Sequence, residues 1–107
     1  CDFAARAAAR LAGDEVPSFP DTEATLGQLQ DRISATCAYL ASFGPDRFEG
    51  AAERSITLKL RSGEKVFQGL EFLTLFALPQ VYFHATTAYD ILRHNGVEIG
   101  KLDFMGA

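Results

Sequence analysis

The sequence predicts a mainly helical bundle in a single domain, with one small β-hairpin ahead of its last long helix. Three patterns carry that prediction. Leu26, Leu29, Ile33, Cys37 and Leu40 recur at spacings of 3, 4, 4 and 3, the seam of a helix that packs on another helix. Ile56, Leu58 and Leu60 alternate with Thr57, Lys59 and Arg61, the period of two that marks a strand. Between Leu70 and Leu92 apolar residues return so often that a helix there would keep little polar surface.

At 107 residues there is room for one domain, 1–107, around one core. Residues 2–12 are rich in Ala and Arg, the strongest helix formers. Phe3, Ala7 and Leu11 fall at i, i+4 and i+8 and give that helix an apolar edge, and Gly13 is its expected C-terminal stop. The opening residues already read as helix interior, and neither Met nor a signal peptide leads them, so a segment is expected upstream of Cys1. Pro17 and Pro20 keep the following linker extended.

Asp21 or Thr22 is the expected cap of a helix over about 22–42, with Glu23 favourably placed in its first turn. Gly44-Pro45 ends it. The strand then turns at Ser62-Gly63 and returns through Lys65–Phe67, a hairpin over about 55–68. Two strands alone are marginal in water, so the hairpin should lean on the helices. The last helix is predicted over about 69–94, kinked at Pro79, which removes the donor to the Leu75 carbonyl. Asn95-Gly96 stops it, and Ile99, Leu102 and Phe104 are expected to fold back. Three helices do not bury this much apolar surface. A fourth helix or a second copy of the chain is needed, and a homodimer is the expected assembly.

A net charge of −4 without any run of Lys or Arg excludes a nucleic-acid or anionic-membrane partner. Leu70–Leu92 is interrupted by Glu71, Pro79, Gln80, His84 and Asp90, short of the roughly 20 apolar residues that span a bilayer. Cys1 and Cys37 make neither a metal-type pair nor a disulfide framework. Cys37, within the seam, reads as a small buried hydrophobe, and a reducing cytoplasm is the expected location.

Of the two histidines, His84 is the stronger candidate for chemistry. Gln80 stands one turn before it on the same face, beside the carbonyl that Pro79 frees. That is a place for a divalent metal or a polar ligand. The structural alternative is a core or interface histidine bonded to a Tyr or Thr hydroxyl. His94 lies ten residues further on, ~15 Å along the axis and about 280° round it. The two cannot share an ion, whose nitrogen ligands approach to about 2.1 Å. His94 reads instead as a helix-end charge paired with Asp90. Tyr82, Thr86 and Tyr89 share a face as core packing or a polar-tipped pocket wall. Phe76, Phe83 and Tyr89 are candidate walls of an apolar pocket. Glu23, Asp31, Glu49 and Glu53 read as solvated charges. No phosphate loop, nucleophile elbow, paired-carboxylate motif or zinc ribbon appears in the sequence.

From Leu78 to Val97 the residues Leu-Pro-Gln-Val-Tyr-Phe-His-Ala-Thr-Thr-Ala-Tyr-Asp-Ile-Leu-Arg-His-Asn-Gly-Val, followed by Gly100-Lys101 and Asp103-Phe104, form a specific stretch. It resembles the C-terminal signature of a bacterial family of unknown function grouped with the DinB-like bundles. The likeness extends upstream through the hairpin and Val16-Pro17-Ser18-Phe19. It implies a DinB-like four-helix bundle, usually dimeric, of which this chain is the C-terminal portion without the N-terminal helix. DinB-like relatives often bind a divalent metal, zinc or nickel, through three histidines, two of them as His-x-x-x-His on the last helix. Here that motif reads Gln80-x-x-x-His84. Some relatives are thiol-dependent transferases or isomerases.

Three functions follow as expectations. The first is a dimeric helical-bundle protein without a catalytic site, its long apolar helix in the dimer core and His84 buried. The second is a metal-dependent transferase or isomerase with His84 and Gln80 at the metal. The third is a binder of small apolar ligands at Phe76, Phe83 and Tyr89.

Overall fold

The computed structural model describes residues 1–106. Helix α1 spans Asp2–Ala12 and stops where the sequence places its glycine. Gly13 adopts φ 76°, its N–H donates to Arg10 O at 3.2 Å, and the Asp14 N–H donates to Ala9 O at 2.9 Å. This pair of bonds is a Schellman closure, for which the left-handed glycine is the natural residue. Two stripes of α1 are used. Ala7 and Leu11 pack toward the hairpin core, whereas Phe3 remains 40% exposed. Ala5 and Ala9, on a neighbouring stripe, are fully buried because only small side chains let a helix lie this close to its neighbours.

Helix α2 spans Leu26–Ala41, starting later than Asp21 or Thr22 would place it. Thr25 is the cap. Its hydroxyl accepts from the Gln28 N–H at 3.2 Å, and the Gln28 side chain accepts from the Thr25 N–H at 3.1 Å, a reciprocal capping box. Asp21 and Glu23 are unavailable for capping because both reach Arg32. The helix ends at Ala41, and Pro45–Phe48 and Ala51–Glu53 form two short 3-10 turns.

Strands β1 (Ser55–Leu60) and β2 (Gly63–Gln68) pair antiparallel, with Ile56 opposite Phe67 and Leu60 opposite Gly63. The alternation read from the sequence appears as burial over most of the strand: Ile56 and Leu58 are 5% exposed and Thr57 and Lys59 face out, but Leu60 at the turn is 36% exposed. The hairpin does lean on helices. Ile56, Leu58, Phe67, Phe72 and Ala77 form the core cluster, flanked by Ala7, Leu11, Leu73 and Phe76.

The last helical run is not uniform. Helix α3 (Gly69–Phe72) passes into a π-helical segment, Leu73–Ala77, and then into helix α4 (Leu78–His94). The Leu78 N–H bonds to Leu73 O, five residues back. The wider π turn lies just before Pro79, whose ring would crowd the Leu75 carbonyl of a regular helix; the disturbance expected at the proline is spread over the preceding turn. Asn95-Gly96 closes α4 with a second Schellman pair, Gly96 N–H to Arg93 O and Val97 N–H to Leu92 O, at 3.1 Å each. The tail folds back through Tyr89, whose hydroxyl donates to Gly100 O and whose ring meets Phe104 edge-on at 5.2 Å. A short helix α5 (Lys101–Met105) follows; Leu102 on it stays 67% exposed.

Helix α1 contacts both α2 and α4. The seam of α2 therefore finds little cover within the chain: Leu26 is 85% exposed, and Leu29 and Ile33 are 46% each. Cys37 is exposed as well, correcting its reading as a buried hydrophobe. The spacing of the seam records what α2 is shaped to meet, not what these residues place against it.

Candidate functional site around His84

Helix α4 presents Gln80 and His84 one turn apart, and the Gln80 amide nitrogen lies 3.3 Å from His84 Nε2. An amide N–H donating there requires a neutral ring with its proton on Nδ1. Phe3 of α1 stacks on the imidazole at 4.6 Å and 16°, and Phe83 meets it edge-on at 5.3 Å. His84 is exposed rather than buried, and its partners are an amide and two rings, not a Tyr or Thr hydroxyl. It opens onto a cleft of about 590 Å³ shared by α1, α2 and the linker, with Cys1, Arg6, Leu29 and Glu23 among its walls.

The strongest electrostatic feature of this cleft escaped the sequence reading. Arg32 of α2 is only 12% exposed and binds Asp2 at 2.6 Å, Glu23 at 2.6 Å and Asp21 at 3.2 Å. It also donates to the carbonyls of Pro20 and Phe19, and lies 5.9 Å over the Phe19 ring. Thr36, one turn on, is buried and donates to Arg32 O. Glu23 is thus an ion-pair partner and not a solvated charge. The available signal was an Arg between the seam positions Leu29 and Ile33, preceded by the acidic pair Asp21 and Glu23.

The network straps the linker across α1 and α2, and it carries a pH dependence. The backbone N–H of Glu23 itself, and then the Arg32 guanidinium, hold the Glu23 carboxyl below its ordinary range, against the opposing effect of burial. A carboxyl lowered on folding stabilises the fold above its unfolded value, about 4.3, and that contribution is lost as pH falls through the folded value. The linker contact should therefore be unchanged from neutral pH down to about 5 and weaken below about 4. Hydrogen exchange at the Thr22 and Glu23 amides, which the Gln28 cap does not hold, measures this once corrected for intrinsic rates. Arg32→Met should exchange fast at every pH, and equal protection in the variant and the natural chain would show that Arg32 holds nothing.

The other candidates go to separate places. Phe76 joins Phe67 and Phe72 in the core, Phe83 turns to His84, and Tyr89 holds the tail. Tyr82 is 58% exposed, and the Tyr89 hydroxyl is bonded to Gly100 O of the tail. His94 sits in the last turn of α4 without an ion pair to Asp90 among the described residues. A nearly wholly apolar recess of about 370 Å³ lies elsewhere, walled by Leu11, Phe48, Gly69, Leu70 and Leu73. Among the described residues, no group of three His, Cys, Asp or Glu side chains is placed to hold a metal ion. A zinc site takes at least three protein ligands, and Gln80 and His84 would supply two of them. No described helix is long and apolar enough to cross a membrane.

The family described as Domain of unknown function (DUF1993) matches residues 1–105. No curated protein matches the chain. The chain is similar to a crystal structure described as a DinB family member protein from Shewanella denitrificans, at 45% identity and a TM-score of 0.91. The match covers 100% of this chain and 61% of that one, less than two thirds of its length. The chain belongs to the DUF1993 family, and its mainly helical, hairpin-bearing fold is DinB-like.

Proposed function

We propose that the protein acts as a homodimeric helical-bundle module in a reducing cytoplasm, with the apolar faces of α2 and α4 at the dimer interface completing a four-helix bundle. Exposed area supports this reading most directly. The surface measures 7839 Å², whereas a compact monomer of 11.6 kDa exposes about 5,800 Å². The excess, about 2,000 Å² per chain, is the scale of an obligate interface. The radius of gyration, 15.6 Å, likewise exceeds the roughly 13 Å of a compact domain of this length. The surplus is apolar where it counts: Leu29 and Ile33 on α2, and Leu78, Tyr82, Phe83 and Ile91 on α4, are each 40% exposed or more.

Sedimentation equilibrium over a range of concentrations tests the reading. A dimer is expected, and Ile33→Asp should weaken it by about a hundredfold or more, since an unpaired carboxylate would be desolvated at the interface. Far-ultraviolet circular dichroism should be unchanged, because Ile33 is half exposed within one chain. A folded protein that stays monomeric at every concentration overturns the proposal. The second reading, a metal-dependent transferase or isomerase, rests on Gln80 and His84 standing one turn apart over an open cleft. It requires further ligands from outside the described residues.

A further inference from the structure

Charge is unevenly distributed over the chain. Its formal net charge is −4, yet a recess of about 520 Å³ between the end of α1 and β1 gathers Arg10, Arg54 and Lys59 beside the hydroxyls of Ser55 and Thr57. Its one carboxylate, Asp14, is already engaged by Arg47. Among the described residues, none of the three cations has a carboxylate within 4.0 Å. Lys59 stands opposite Glu64 in the hairpin register, but the two do not close to ion-pair distance.

Local structure explains how two guanidinium groups come to share this place. Arg54 donates to Leu11 O at the C-terminal end of α1, and it lies over Gly13 so closely that an added Cβ would stand 2.8 Å from its Nη1. Arg10, one turn earlier than Asp14, makes a single bond to Arg6 O at 3.4 Å. Burial, and then the neighbouring Arg6 cation, hold the Arg10 guanidinium below its ordinary range. It is a partly buried cation with a like charge beside it and no counter-charge. Three of the last four carbonyls of α1 are already bonded: Ala9 O and Arg10 O by the Schellman pair, Leu11 O by Arg54.

We propose that this recess binds a phosphate monoester of a small organic molecule, its oxygens on Arg10 and Arg54 with Lys59 at the rim and its organic part against Val16. Guanidinium forks match phosphate oxygens in pairs, and the recess has the volume of a small-ligand site. The site lies apart from His84 and does not depend on dimer formation.

Calorimetric titration with inorganic phosphate and with phenyl phosphate, at ionic strength fixed by chloride, tests it. Saturable binding of both is expected, tighter for phenyl phosphate, and Arg10→Gln and Lys59→Gln should each weaken it by about tenfold. Arg54 is left intact because it also caps α1. Absence of saturable binding, or unchanged affinity in both variants, overturns the proposal. So does binding to phosphatidic-acid vesicles with none to the soluble phosphates.

Discussion

Phe72→Ala should be among the most damaging single truncations in this chain, costing about 3–5 kcal/mol of stability. Phe72 is 1% exposed and is the large side chain buried most completely among the described residues. Its ring meets Phe67 at 6.2 Å and Phe76 at 5.8 Å, and those two meet each other at 5.7 Å. The three rings join β2, α3 and the π-helical segment, so one truncation opens a cavity where three elements converge. Each kcal/mol moves the midpoint of a domain this size by roughly 4–8 °C. Calorimetry should therefore find Phe72→Ala melting more than about 12 °C below the natural protein. A fall of only 2–3 °C would place the main core elsewhere, in the contacts that α2 and α4 make outside the chain.

The same core shows what the sequence could and could not reveal. The hairpin was legible because Ile56, Leu58 and Phe67 obey a period of two and one face of the sheet is buried. The helix stops at Gly13 and Gly96 were legible because a left-handed residue after a helix selects glycine. The start of α2 was not, since Asp21, Thr22 and Thr25 are all competent caps. Asp21 is bound instead by Arg32, eleven residues away and brought to it only by the fold, and Thr25 closes the capping box with Gln28. The π-helical segment was hidden for a related reason: Pro79 announces a disturbance but not which neighbouring turn absorbs it. The seam of α2 misled in another way. Its period reports the need for a partner helix, and these residues place none over Cys37.

His84 was found by spacing, because a Gln and a His at i and i+4 must share a face. Its exposure could not be read, since burial depends on α1 and on the linker that Arg32 straps down. The separate contacts of the three rings named as pocket walls could not be read from spacing either. Phe76 lies in the π-helical segment and Phe83 and Tyr89 on α4, and their rings meet different partners: the core rings, the His84 imidazole and Phe104 of the tail.

Gly69→Ala sets helix propensity against sterics, and sterics should win. Gly69 opens α3, and in a helix alanine is favoured over glycine by about 1 kcal/mol, so propensity alone predicts a more stable protein. A Cβ at residue 69, however, would stand 1.7 Å from Ala51 O and 2.8 Å from the Ala51 carbonyl carbon. The obstacle is backbone, so no rotamer change relieves it; the turn Ala51–Glu53 must be pushed away from α3. That turn also leads into β1, and Ala51 is itself 9% exposed. Overpacking of this kind costs about 1–3 kcal/mol, and the backbone obstacle puts this case at the upper end, so a net loss of about 1–2 kcal/mol is expected after the propensity gain. Urea denaturation with an unchanged m-value would read it directly. The apolar recess bounded by Leu11, Phe48 and Leu70 shares Gly69 and Ala51 with this contact. A neutral or stabilising result would mean that the Ala51–Glu53 turn yields freely, and that the recess beside it is a yielding surface rather than a fixed wall.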